Sequence, residues 1–303
     1  MTISISVVIP THNRTDSLVR AVNSVLDQTF PPCEIIVVDD VCSDACKELI
    51  DSINSPIVRY VQNSSSGASS SRNLGASLAK GSYVAFLDDD DIWLADKLKR
   101  QYEQITSGSL DACFCRMVIE YENTHISYST RSRNMADAKR EILLNNYIGG
   151  TISSVIRRDL FLAVGGFDTD FPAREEYDLW IRIIHEGAEI GIVEEPLVVA
   201  YRSLNRRHRI SQNIENYKIA NQKILTKHKE KFSTFIGDES YHVIRSNYSL
   251  FLAAQAASIN LRGTTVYYYA NALRFKFSLK TLLMLVAGAF SPLFLIRLRS
   301  MLS

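Results

Sequence analysis

Blocks of apolar and polar residues alternate along the first 100 residues, and their period switches from one block to the next. Ile3 to Ile9 is an apolar run closed by Pro10 and reads as a buried strand. Leu18, Val22, Val25 and Leu26 recur at helical spacing, which predicts a helix over Asp16 to Gln28. After Pro31-Pro32, Glu34 to Val38 reads as a second buried strand ending at Asp39-Asp40. A helix over Ser43 to Ile53 and a short strand over Ile57 to Gln62 follow. The small-residue loop Asn63 to Ser71 leads into a helix through Asn73 and Leu78, and Gly81 turns the chain into the strand Tyr83 to Leu87. This alternation predicts right-handed βαβ units and an α/β fold with a central, mainly parallel sheet. Ligands on such sheets gather at the C-terminal strand ends, which here carry Thr11-His12-Asn13, Asp39-Asp40 and Asp88 to Asp91.

The pattern changes beyond the acidic tetrad. A helix is predicted from near Trp93 through Tyr102, with Asp91 available as its cap. Cys113 to Tyr121 and Thr151 to Ile156 read as strands, and Thr124 to Lys139 as a loop. A short helix begins at Arg157-Arg158-Asp159, Gly165-Gly166 marks a turn, and Glu175 opens a helix running to His185. Two more strands are predicted at Ile190 to Val193 and Leu197 to Tyr201. From Ser211 the chain is helical in pattern, which divides it into a first unit, 1–210, and a helical extension, 211–303. Leu282 to Ile296 is almost wholly apolar, with Arg274, Lys276 and Lys280 before it and Arg297 and Arg299 after it. A spanning helix needs about 20 apolar residues. This run is shorter and holds Pro292, so segment 281–298 is expected to lie on a membrane surface, with a packed helix or dimer contact as the alternative.

A formal net charge of +1 gives no support to a nucleic-acid partner. The five cysteines (Cys33, Cys42, Cys46, Cys113, Cys115) show no CxxC pair, which argues against a zinc site and for a reducing compartment. No basic leader precedes the first strand, so the catalytic part is expected in the cytoplasm, peripheral on the inner membrane.

Asp88-Asp89-Asp90-Asp91 at the end of an apolar strand is costly, because close carboxylates repel and a nearby core lowers the dielectric. A divalent cation shared with substrate phosphates would offset that repulsion. The alternative is a solvated loop with a helix cap.

The motifs, in order, are Val7-Val8-Ile9-Pro10-Thr11-His12-Asn13-Arg14, Ser24 to Thr29, Glu34 to Asp40, Gly67 with Ser71-Arg72-Asn73-Leu74-Gly75, Phe86 to Asp91, Gly165-Gly166-Phe167-Asp168 and Glu175-Glu176-Tyr177-Asp178-Leu179-Trp180. Together they resemble family 2 glycosyltransferases of the GT-A fold, such as those of bacterial surface-polysaccharide assembly. The resemblance implies an inverting, metal-dependent transfer from a nucleotide-diphosphate sugar, usually UDP-linked, to a saccharide hydroxyl, with the acceptor lipid-linked. It implies that Pro10, Thr11, Asn13 and Arg14 line the nucleotide pocket, and that Asp39 accepts from the uracil. Arg72, Asp88 and Asp89 would hold the rest of the nucleotide-sugar, with a structural ion pair of Arg72 to Asp39 or Asp88 as the alternative. Asp90 and His208 would hold Mn2+ or Mg2+. The motif that supplies the base normally reads Glu-Asp and here reads Glu175-Glu176, so Glu176 is the first choice of base and Glu175 the second. Both could instead serve only a helix N-terminus. Arg206, Arg207 and Arg209 near His208 could meet a diphosphate or an anionic headgroup. A nucleotidyltransferase, which lacks its Gly-rich basic signature here, and a non-catalytic nucleotide-sugar-binding module are the rival readings.

Overall fold

The computed structural model describes residues 3–122, 124–131, 135–203, 213–237 and 240–301. The first half alternates as the apolar pattern predicts: β1 (Ile5–Thr11), α1 (Thr15–Leu26), β2 (Glu34–Asp39), α2 (Asp44–Ser52), β3 (Val58–Gln62), α3 (Ala68–Leu78) and β4 (Tyr83–Phe86). β3, β2, β1 and β4 are parallel neighbours in that order. β1 and β2 are buried at every position, because helices cover both faces of this part of the sheet. α1 covers one face with Leu18, Ala21, Val22 and Val25. α3 covers the other so closely that a Cβ on Gly75 would lie 2.4 Å from Val8 Cγ1.

The second half departs from the simple pattern. Next come β5 (Ile92–Trp93), α4 (Lys97–Gly108), β6 (Ala112–Tyr121), β7 (Ile126–Ser129), α5 (Ala138–Leu144), a 3₁₀ turn (Thr151–Ser153), β8 (Val155–Arg157), α6 (Arg158–Ala163), α7 (Glu175–His185) and β9 (Ile190–Arg202). The sheet continues β4-β8-β6-β9-β5, with β7 on β6. β6 and β9 are parallel, whereas β8, β5 and β7 pair antiparallel. The α/β sheet is thus parallel across its first four strands and mixed beyond.

Several expectations are corrected. Ile92-Trp93 is not helical: it pairs with Val199 and Val198 of β9, and α4 starts only at Lys97, so Asp91 caps nothing. Asp91 instead accepts the Tyr201 backbone N–H at 2.8 Å. The two strands expected between 190 and 201 are one, because register shifts opposite Cys115 to Met117 absorb Pro196 at a bulge. The polar stretch 124–139 contains β7 and the start of α5. Thr151 to Ser153 is a 3₁₀ turn, and only Val155 onward is strand.

The extension consists of α8 (Ile214–Lys227), α9 (Lys229–Phe235), α10 (Tyr241–Ser258), α11 (Arg262–Phe275), α12 (Leu279–Phe290) and α13 (Pro292–Met301). Ala220, Ile224, Phe232, Ile244 and Tyr248 pack into the same core cluster as Trp180 and Phe114. Leu252, Tyr269, Met284 and Leu295 form a smaller core of its own. The apolar run 282–296 folds as α12 and α13, broken at Ser291-Pro292. Among the described residues no helix is long and apolar enough to cross a membrane. α12 and its flanks nevertheless expose Phe277, Leu279, Leu283, Val286, Phe290 and Phe294, with Phe290 81% exposed.

Candidate active site

The four parallel strands end in loops, which polar contacts join into one rim. His12 Nδ1 lies 2.6 Å from Asp40 Oδ1, and Asp40 Oδ2 accepts the Gly67 N–H at 2.8 Å. The loop after β1 is thereby tied to the loop after β2 and to the start of α3. Thr11 Oγ1 donates to Asp89 Oδ2 at 2.9 Å. One Arg14 nitrogen donates to both Asp89 (3.0 Å) and Asp90 (2.9 Å). Asn13 supports this turn in the left-handed region at φ 53°, which asparagine tolerates well. Pro10 is a buried position of β1.

Asp39 is fully buried, and both its oxygens are engaged: Oδ1 accepts from Val41 N (2.9 Å), and Oδ2 from Ser43 N (2.9 Å) and Tyr60 Oη (3.0 Å). In this geometry Asp39 organises the loop before α2 and offers no exposed surface to a nucleobase.

The tetrad sits among arginines. Arg72, 5% exposed, donates to Asp88 Oδ1 at 2.6 Å and to Glu175 Oε1 at 3.1 Å, and its guanidinium lies 5.4 Å from the Phe167 ring centre. Burial alone would lower its pKa, but Asp88 and Glu175 hold it above its ordinary value. Arg202 is likewise held protonated by Asp91, Asp90 and Asp88 against the effect of burial. Arg20 donates to the Asp90 carbonyl at 3.0 Å and stacks on Tyr201 at 4.2 Å. The repulsion that a cation was expected to relieve is therefore met in large part by guanidinium groups of the chain itself. It is not fully met at Asp89: burial, with Asp90 and Asp88 adding, pushes its pKa up to about 6 despite Arg14 and Thr11. Burial also raises Asp91 well above the carboxylate range, with Arg202 opposing.

The donor set suits one kind of cation. Among the described residues no three potential ligands gather. Asp88 and Asp90, two positions apart, offer carboxylate oxygens only. That fits a hard ion such as Mg2+ or Mn2+ that completes its shell with phosphate oxygens and water. His208, expected as a further ligand, lies outside the described residues, as do Arg206, Arg207 and Arg209.

The Arg72 bridge brings the N-terminus of α7 against the acidic loop. Arg174, just before α7, takes a left-handed φ of 58° and buries its guanidinium over the rings of Tyr177 (4.4 Å) and Phe251 (4.2 Å), bonded to Asn221. Glu175 is thereby committed to Arg72, while Glu176 faces a cavity of about 860 Å³. Burial, then the neighbouring Glu175, raises the Glu176 pKa. α7 is locked from behind by Asp178. This carboxylate is fully buried and accepts from Arg182 (2.7 Å), Lys227 (3.0 Å) and His228 (2.8 Å). The cavity is lined by Arg174, Glu176 and Arg202, by β6 and β7, and by α10 to α12. It does not include the tetrad, Thr11, Arg14, Asp39 or Arg72. Arg202 and Glu176 therefore stand between a polar rim at the strand ends and a larger chamber beneath the helical extension.

A family model, "Glycosyl transferase family 2", matches residues 6–165, the stretch that carries the rim and the tetrad. The chain belongs to glycosyl transferase family 2. This glycosyltransferase is 40% identical over 209 residues (66% of the chain, 79% of the relative) to a putative teichuronic acid biosynthesis glycosyltransferase, TuaG, of Bacillus subtilis. It is 28% identical over 184 residues (60% of the chain, 70% of the relative) to the Escherichia coli UDP-Glc:alpha-D-GlcNAc-diphosphoundecaprenol beta-1,3-glucosyltransferase WfgD. In fold it is similar to the mannosyltransferase PcManGT of Pyrobaculum calidifontis, solved with GDP-Man and Mn2+, with a TM-score of 0.59 and 18% identity, covering 98% of this chain and 86% of that one. Its sheet and helices form the GT-A glycosyltransferase fold.

The tetrad, Arg14, Arg72 and the two glutamates were visible as sequence motifs. Arg202, Arg174 and Asp178 with His228 were not singled out as site residues. Arg202 sits about 110 residues from the tetrad in sequence, and no local pattern links the two.

Proposed function

We propose that this glycosyltransferase is an inverting, metal-dependent enzyme. It moves a sugar from a nucleotide-diphosphate donor, UDP-linked, to a hydroxyl of a lipid-linked saccharide in surface-polysaccharide assembly. The observation that carries this reading is the Arg72 bridge, which joins the acidic loop to α7 and leaves Glu176 turned to a separate chamber. A donor held at the rim and an acceptor entering through the chamber would then meet from opposite sides of the anomeric carbon, as inversion requires. The name of WfgD supports the lipid-linked acceptor, and that of TuaG supports polysaccharide assembly.

In this reading Glu176 takes the proton from the acceptor hydroxyl. The new bond forms from that oxygen to the anomeric carbon, and the bond from that carbon to the diphosphate oxygen breaks. Glu175, charge-paired with Arg72, holds the guanidinium beside Asp88, and Arg14 fixes Asp89 and Asp90. A cation bound at Asp88 and Asp90 would neutralise charge on the departing diphosphate. Thr11, Asn13 and the loop organised by Asp39 would wall the nucleoside, with Asp39 acting through that loop.

The exposed apolar side chains of α12 and α13, with basic residues around them, support contact with the cytoplasmic face of a membrane. A panel of nucleotide sugars, assayed for transfer and hydrolysis with and without Mn2+, tests the proposal. UDP-sugar turnover that requires the metal and is lost in Asp90→Ala supports it. Pyrophosphate release from UTP and a sugar phosphate would favour a nucleotidyltransferase instead. Truncation after about residue 270 should release the protein from membranes; full solubility of the intact chain in low salt would contradict the membrane part.

A further inference from the structure

The chamber facing Glu176 is strongly one-signed. Among the described residues its charged lining is Arg131, Arg174, Arg202, Lys276 and Lys280 against one acid, Glu176. Arg174 and Arg202 are committed, one to Asn221 and its aromatic neighbours and the other to the tetrad. Lys276 and Lys280 are exposed and have no ion-pair partner among the described residues. They flank the turn between α11 and α12, where Ser278 caps α12. Cavity-lining and solvent-facing apolar residues interleave there: Lys276, Ser278, Lys280, Thr281 and Met284 line the chamber, while Phe277, Leu279 and Leu283 point out of the protein. Phe277 is 73% exposed. One wall of the chamber thus carries cations on its inner side and apolar side chains on its outer side.

We propose that this turn is the acceptor's anchor: Lys276 and Lys280 bind the diphosphate of a polyprenyl-diphosphate-linked saccharide. Its prenyl chain leaves over Phe277 and Leu279, and its sugar reaches inward to Glu176. The inference rests on the glycosyltransferase reading above and specifies its acceptor subsite. An ammonium at each side of a flexible diphosphate suits point-charge pairing, and because both lysines are exposed the pairing weakens as salt is added. A saccharide without a diphosphate would gain no such pairing, so the site favours the anionic linker.

The test uses the intact protein with Mn2+ and saturating UDP, so that the rim is filled, and titrates farnesyl diphosphate as the probe. Wild type should bind it saturably, and farnesol at least tenfold more weakly. The Lys276→Ala/Lys280→Ala variant should lose at least tenfold in farnesyl diphosphate affinity while its UDP affinity stays unchanged. Equal affinity in wild type and variant, or equal binding of farnesol, overturns the proposal. So does a variant that keeps diphosphate binding and loses only attachment to phosphatidylglycerol vesicles, since the lysines would then serve headgroups. If UDP binding itself is absent from wild type, the donor reading fails rather than this one.

Discussion

Replacing Asp178 by Asn should unlock the helix that presents Glu175 and Glu176. The native carboxylate is fully buried, with Arg182, Lys227 and His228 around it. Burial would raise its pKa, but the His228 hydrogen bond and the two cations outweigh that and hold it at about 2, against an ordinary 3.8. A difference of about 1.8 pH units corresponds to roughly 2.4 kcal/mol of stability near neutral pH. Because the folded-state pKa is the lower one, this contribution is complete above pH 4–5 and is lost as pH falls toward 2; at pH 3 about 1.3 kcal/mol remains. Urea unfolding of wild type and Asp178→Asn at pH 7, 5, 4 and 3 should show a gap of about 2–3 kcal/mol at neutral pH that shrinks to about half by pH 3. At neutral pH the variant should melt about 4–6 °C lower. A gap below 0.5 kcal/mol, or one that does not change with pH, would refute the charged lock.

Three further outcomes are expected. Lys97 is completely buried, its Nζ lies 3.6 Å from the Trp93 ring centre without a hydrogen-bond partner, and burial lowers its pKa to about 8. Lys97→Met should therefore raise thermal stability at pH 7 by up to about 3 kcal/mol, an advantage that fades between pH 8 and 10.5 as the wild-type amine becomes neutral in the unfolded chain too; a less stable variant at pH 7 would contradict this. Burial and Glu175 push Glu176 up to about 7, so kcat/KM for donor hydrolysis or transfer should fall as pH drops through neutrality, and an acid limb at the ordinary carboxylate value of 4–5 would contradict a buried base. Arg72→Ala leaves Asp88 and Glu175 without their shared cation; since both are partly exposed, the stability loss should stay near 1–3 kcal/mol, while donor affinity falls at least tenfold, and unchanged donor affinity would argue that the bridge is structural only.

The parallel half of the sheet was legible because each element there carries its own period: β1 and β2 are apolar throughout, and α1 shows one buried stripe. β5 was not, since two residues next to a helix have no period, and only pairing with β9 makes them a strand. β9 was split in the sequence reading by Glu194, Glu195 and Pro196, which the fold places at a bulge. The site divides the same way. Residues on one motif, such as Asp88 to Asp91, could be named from sequence. Their partners Arg202 and Arg20, and the engagement of Asp39 by Val41, Ser43 and Tyr60, depend on contacts between elements distant or oblique in sequence.

Most directly decisive is a pair of measurements on Glu176→Gln and Glu175→Gln: UDP affinity with Mn2+, and sugar transfer from the donor that the panel selects. The account predicts that Glu176→Gln binds UDP like wild type and transfers roughly 10²–10⁴-fold more slowly. Wild-type transfer by Glu176→Gln, or the larger loss in Glu175→Gln with UDP affinity intact, would contradict it.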